Sequence, residues 1–370
     1  MYIPEATPET LARAARELGP APDDVLLTLV AGPGDLALQP LQQAVVGHGA
    51  PVVGGRFPAL IHDGELRDRG AILRTLPALA EPTLVRGLDD DRFRLEQLTG
   101  ILDRMEDRPY TALILVDGLA PGGARLLTQL HDQFGNSVNY FGGGTGTDDL
   151  SPAPTVFSDT GCHRNAAIIA FLALDSQLGS AHGWERATTP MLATRTDGTV
   201  VQEINWRPAL DVYRETLATM GHDVDPANIW STGMKFPLGL RRDDGSHLVR
   251  SPLRATDGGG LVCAGDIREN TVITILRGEP DALLDAARTA ADGSTGCTPA
   301  TQCALVVDCI ARMNFLSDRF AEELAVVNGI VSGNGAPGPE GVISVGEICS
   351  TGDGIVELLN KTVATGRLHA

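Results

Sequence analysis

The sequence predicts an α+β chain, α/β-like in its layering: repeated strand–helix–strand–strand units with mixed sheets, interrupted by a middle antiparallel segment. Two observations carry this reading. A buried apolar strand, a helix, a short strand running into glycine and a further strand recur along the 370 residues, twice closely and once with more drift. Between the second and third copies, short strands are joined by the turn signals DDGS and DGGG rather than by helices.

The elements follow in order. The chain opens with a helix: Thr7 suits the N-cap and Pro8 the first helical position. Leu11, Ala14, Ala15 and Leu18 share one face, and Gly19 ends it. The first unit is VLLTLVAG (25–32), LQPLQQAVVGHG (38–49), APVVGGRF (50–57) and GAILRTL (70–76). The second is TALILVDG (111–118), GARLLTQLHDQFG (123–135), SVNYFGGG (137–144) and NAAIIAFLAL (165–174). The third is CALVVDC (303–309), RMNFLSDRFAEELAVV (312–327), GVISVGEI (341–348) and NKTVATGRL (360–368). Gly54–Gly55, Gly143–Gly144 and Gly346–Glu347 are thereby expected at matching places. In the middle, VVQEINWRPALDVYRETLATMG (200–221) reads as strand, turn and helix. KFPLGL, HLVRSPLRA, GLVCAGDI and NTVITIL read as antiparallel strands, and EPDALLDAARTAAD (279–292) as an amphipathic helix. A boundary near Gly179–Gly183 gives two domains. Residues 1–180 hold units at about 24–76 and 111–174; residues 181–370 hold the antiparallel segment 200–292 and the third unit 303–368. GNGAPGPEG (333–341) reads as a loop.

Composition narrows the function. Hydrophobic residues make up 43% and charged residues 21%, an ordinary globular balance. The net charge of −18 repels phosphate backbones and anionic lipid surfaces, which argues against nucleic-acid and membrane partners. No segment approaches the roughly 18–20 apolar residues that span a bilayer. The N-terminus lacks a basic region followed by an apolar core, so a cytoplasmic location is expected. The six cysteines include no C-x-x-C pair and read as reduced thiols.

The stretch NYFGGGTGTDDL (139–150) invites a phosphate-binding reading. A Rossmann fingerprint needs its glycines between the first strand and the helix, and a Walker loop needs G-K-[ST]. Here the glycines follow the second strand, and the lysine is absent. Two readings remain: glycines that allow a tight turn or close packing, or turns that line a shared pocket at the strand ends. Asp148–Asp149 offer general acid/base carboxylates or, as side chains bonded to backbone, turn caps. No G-x-S-x-G elbow, H-E-x-x-H pair or metal-spaced His/Cys cluster marks an enzyme.

The pieces EINWRPALDVY, KFPLGL, LVRSPL, GDIRENTVITIL, ALVVDCIARMNFL, GVISVGEI and LLNKTV resemble the C-terminal part of the FIST domain, named for F-box and intracellular signal transduction proteins. VVGGRF and FGGGTGTDDL resemble its N-terminal part, and the resemblance runs from about residue 24 to 368. It implies a sensor of a small ligand, such as an amino acid. The sensor would signal to a separate partner: a histidine kinase, a cyclic-di-GMP enzyme or a chemotaxis receptor of bacterial type. One branch of the family binds haem and reports nitric oxide. Two departures stand out. The family's C-x-G-R is Cys309-Ile310-Ala311-Arg312 here, and Leu359 replaces a histidine before Asn360. Ligand contacts through that glycine or histidine are therefore unsupported.

The candidate ligand residues are Gly143, Gly144, Thr145, Arg250, Cys309, Arg312, Glu347, Asn360 and Thr362. Arg312 offers a bidentate hold on a carboxylate, or pairs structurally with Glu322 or Glu323. Glu347 offers an acceptor for an ammonium group, or an internal salt bridge to Arg312. Cys309 is a ligand contact or a small core residue. Asn360 and Thr362 line the pocket or form a turn, and Arg250 matches an arginine of the family. For haem b, which needs a histidine or cysteine axial ligand, His163, His182 and His247 are the candidates near strand ends.

Overall fold

The computed structural model describes residues 1–90, 93–296, 303–333, 338–350 and 356–369. Cys297 and residues 334–337 of the expected loop lie outside them. The first helix spans Pro8–Leu18, capped by Thr7 and ended by Gly19 at φ 55°. The α+β class holds, and the repeat is topological. In the first unit Asp24–Ala31 runs parallel to Val52–Phe57, crosses over through the helix Leu38–Val45, and pairs antiparallel with Gly70–Pro77. In the second, Tyr110–Asp117 pairs with Val138–Thr145 and Ala166–Leu172 around the helix Gly123–Phe134. In the third, Cys303–Cys309 pairs with Glu340–Ser344 and Val363–His369. Its expected single helix breaks at Ser317, which has φ 49°, into Ile310–Leu316 and Phe320–Val331.

Each unit also carries a short hairpin after its second strand, and that hairpin joins a neighbour's sheet. Ala59–His62 of the first unit pairs with Glu340–Ser344 of the third. Val156–Ser158 of the second pairs with Val52–Phe57 of the first. Glu347–Ser350 of the third pairs with Val138–Thr145 of the second. The exchange closes three six-stranded sheets into a ring. Side chains alternate across a strand, so Leu27 and Leu29, Leu113 and Leu115, and Leu305 and Val307 meet in one central core. The alternate set packs outward under the helices: Leu26 and Val30, Ala112 and Ile114, Ala304 and Val306.

This register explains the glycines. Opposite Leu29, Leu115 and Val307 stand Gly55, Gly143 and Val342. The third unit's counterpart is therefore Val342, whereas Gly346–Glu347 lie past the strand end, where the exchanged hairpin begins. That differs from the expected match, because the sequence gives no sign that the hairpin leaves its own sheet. A Cβ on Gly54 would fall 2.0 Å from the Phe157 ring, and one on Gly144 would fall 2.0 Å from the Val345 carbonyl. These glycines admit the exchanged segments at close range.

The middle segment is a nine-stranded antiparallel sheet with its own core around Tyr213, Leu238 and Ile275. HLVRSPLRA, expected as one strand, breaks at Ser251. His247–Arg250 pairs with Leu238–Arg241, and Pro252–Ala255 pairs with Leu261–Cys263. Pro252 has no amide hydrogen to continue the first ladder. Strand Asp175–Ala181, just before this segment, pairs with Val363–His369 of the third unit. Among the described residues no helix is long and apolar enough to cross a membrane.

Candidate functional site

A cavity of about 360 Å³ lies where the carboxyl ends of Tyr110–Asp117 and Cys303–Cys309 meet the middle segment. The ring contributes Gly118–Pro121, Cys309–Ala311, Val345–Gly346, Leu358, Asn360 and Lys361; the middle segment contributes Trp230, Arg250, Ser251, Leu253 and Val262–Asp266. The volume suits a small molecule, and carboxyl ends of parallel strands are where α/β layers bind ligands. A larger open depression, of about 780 Å³, lies by Leu102, Met105–Pro109 and Asn136–Ser137, at the amino ends of the second unit's strands.

Arg250 is a buried cation of the cavity wall, 3% exposed. Its Nε donates to the Asp266 carbonyl (3.2 Å) and its Nη1 to the carbonyls of Val249 and Leu358 (3.0 Å each). Among the described residues no carboxylate lies within ion-pair distance of it. Burial lowers its pKa to about 10. The Ser251 hydroxyl is buried without a described partner. Around these polar groups, Leu119, Trp230, Leu253, Val262 and Leu358 give the wall its apolar character.

Beneath the cavity lies a buried ionic layer. Arg312 is fully buried and forks onto Glu323, Nε to Oε1 and Nη2 to Oε2 at 2.7 Å each. It also donates to the carbonyls of His182 and Leu283. Asp308 accepts from the Cys309 amide at 2.8 Å. Burial, and then the nearby Glu323, raises its pKa well above the usual carboxylate range. Glu347, also fully buried, accepts from the Ser344 hydroxyl (2.8 Å) and the Thr362 amide (3.1 Å), and burial raises its pKa. Lys361 has φ 58°; its Nζ donates to the Met234 carbonyl at 3.1 Å and lies 4.9 Å from the Trp184 ring centroid. Burial lowers its pKa to about 8.

The candidates therefore separate. Arg250, Cys309 and Asn360 line the cavity. Arg312, Glu347 and Thr362 lie beneath it, and Arg312 pairs with Glu323 rather than with Glu347. The Cys309 sulfur accepts from the Lys361 amide at 3.2 Å, and burial raises its thiol pKa. Gly143 and Gly144 are packed against Val307 and Val345, and the Thr145 hydroxyl is spent on the Val116 carbonyl and Thr155. Asp149 caps its turn: the side chain of Ser151, then its amide, then the Thr147 hydroxyl hydrogen-bond the carboxylate and pull its pKa down to about 2. Lys361, Trp230 and Asp266 went unread as site residues. Lys361 carried a signal, since it is one of only two lysines in the chain.

The residues present do not fit haem in this cavity. His163 sits on the exchanged hairpin Gly161–His163, His182 accepts from the Trp184 amide, and His247 borders a separate cavity of about 130 Å³. Burial, followed by His247 and Arg312, lowers the His182 pKa to about 4. The thiols that do line the cavity, Cys309 and Cys263, are held protonated by burial. Among the described residues no group of three or more His, Cys, Asp and Glu is placed to hold a metal ion.

Two family models match the chain: the FIST N domain over residues 74–207 and the FIST C domain over residues 209–350. No curated protein matches it.

Proposed function

We propose that this chain, which belongs to the FIST family of sensory domains that bind small ligands, detects an amino acid or similar carboxylate-bearing metabolite in the 360 Å³ cavity. The observation that carries the reading is a buried arginine, Arg250, set in an apolar wall at the strand ends with no carboxylate within ion-pair distance among the described residues. A guanidinium in that state is suited to a ligand carboxylate. Asn360 and the Asp266 carboxylate supply acceptors for an ammonium group; Trp230, Leu253 and Val262 take the side chain. Arg312 and Glu347 hold the floor: Glu347 ties the turn at 345–347 to Thr362, and Arg312 ties the third unit's helices together. Ligand bound between the ring and the middle segment shifts the population of their arrangements. A separate cytoplasmic signalling protein, such as a histidine kinase or a cyclic-di-GMP enzyme, reads that shift.

The test is a calorimetric titration of the purified protein with each amino acid, repeated on Arg250→Gln and Asn360→Ala. At least one saturable ligand is expected, weakened on the order of tenfold or more by Arg250→Gln, the scale of a lost charge-assisted bond. Loss of an Asn360→Ala effect together with unchanged binding in Arg250→Gln would overturn the site. A Soret band in protein purified after haem supply, shifting with nitric oxide, would replace this reading with haem-based sensing.

A further inference from the structure

A second cavity, of about 420 Å³, adjoins the first, and Ala124, Arg250, Asp266 and Leu358 line both. Its wall carries more charge. Arg241, Arg242, Arg250 and Arg268 face it, against the carboxylates Asp266 and Glu357; Arg125, a fifth, lies over the Phe93 ring and donates to the Asp90 carbonyl. Such a concentration of arginine runs against a chain of net charge −18. Glu357 is committed to Arg242, with Nε to Oε2 at 2.9 Å. Arg241 and Arg268 are exposed, and among the described residues neither makes an ion pair. Arg241 also borders the smaller cavity beside His247.

We infer that this second cavity is an anion subsite for a phosphate group, and that the ligand spans both cavities, its organic part in the first and its phosphate among the arginines. Guanidinium forks match phosphate oxygens, and several arginines around one space suit a group with two charges and three free oxygens. A single carboxylate would leave most of those donors unused. The cavity is too small for a nucleic-acid or membrane surface, and the overall charge repels both. The spanning pose rests on the proposed ligand site; the anion subsite does not.

The experiment uses the full chain and inorganic pyrophosphate as the probe, followed by calorimetry, on wild type and on R241Q/R268Q. Both positions are exposed, so the variant is expected to keep the wild-type melting temperature. One saturable pyrophosphate site is expected, weakened about tenfold or more in the variant. No saturable binding, or equal binding by the two proteins, would overturn the subsite. O-phosphoserine against serine then tests the span: wild type is expected to favour the phosphorylated compound about tenfold, and R241Q/R268Q to lose that preference. If pyrophosphate binds through these arginines while neither serine compound competes with it, the subsite stands and the amino-acid reading of the first cavity fails.

Discussion

At the carboxyl end of the first unit's leading strand, Arg56 donates to the carbonyls of Gly32 (3.1 Å), Pro33 (2.6 Å) and Gly34 (3.4 Å) and fills the strand end with its own side chain. At the same end of the third unit, the chain leaves a cavity bounded by Cys309, Ile310 and Ala311. The strand register makes the two ends comparable: Arg56 pairs with Val30, Gly144 with Val116, and Ile343 with Asp308, each one residue before its leading strand ends. One backbone plan thus carries an arginine plug in the first unit, no side chain in the second and an apolar one in the third. The leading strands differ as well. Val30 and Val116 are apolar where the third unit has the buried Asp308. The plugged end holds one buried cation on backbone carbonyls; the open end rests on a layer of opposed charges. Where a repeat is duplicated, side chains at one register position decide which copy is scaffold and which borders a site.

The sharpest way to break this comparison is Arg312→Met. It removes the guanidinium that faces Glu323 and Asp308 in a fully buried setting. Removing one partner of a buried pair costs about 3–5 kcal/mol, because the other charge is left without compensation. Urea denaturation is expected to show that loss, with the third unit's helices Ile310–Leu316 and Phe320–Val331 exchanging amide hydrogens earliest. A loss under about 1 kcal/mol would mean that the ionic layer does not hold the open end.

A second test uses pH. The folded pKa of Lys361 is about 8 against an ordinary value of 10.5, lowered by burial. Between those values the unfolded chain binds more protons than the folded one, so this group's contribution to stability rises with pH. The stability of wild type minus that of Lys361→Met is therefore expected to rise by roughly 3 kcal/mol across that window and to be level on either side. Taking the difference removes the other groups that titrate there. A flat difference would place Lys361 in water rather than buried at the floor of the cavity.

Much of this was legible. The strand–helix–strand order and the period-2 apolar runs are local, so all three units and the middle antiparallel segment can be read directly. The hairpin exchange is not local. Ala59–His62 and Val156–Ser158 are strands of four and three residues that read as turns, and nothing near them names partners that lie almost 300 and about 100 residues away. Without the exchange, Glu347 looks like a strand-end residue facing a pocket; with it, Glu347 lies opposite Gly143 in the second unit's sheet. The sequence offers Glu323 as a structural partner of Arg312, and the structure forms that pair; its complete burial is not legible, because the helix break at Ser317 that brings the two together is not announced. Arg250 could be singled out, yet its neighbour Trp230 comes from the short helix Ile229–Lys235 and Asp266 from the loop after the strand Leu261–Cys263.

The smallest expected effect comes from Arg56→Ala at the plugged end. The carbonyls that Arg56 holds belong to the loop at Gly32–Gly34, where water can replace the guanidinium once it is gone. Asp35, Asp148 and Asp149 attract it only through space, and burial, the larger influence, lowers its pKa. The side chain also keeps a buried Nε without a described partner, so its removal relieves a desolvated donor. The net loss should be about 1 kcal/mol, the value of an ordinary hydrogen-bonding contribution, and ligand and pyrophosphate binding at the third unit should be unchanged. Urea denaturation beside calorimetry reads both quantities. A loss matching that of Arg312→Met would make the plug as necessary as the ionic layer. A change in binding would show that the two ends are coupled around the ring, through the hairpin Ala59–His62 that the first unit gives to the third.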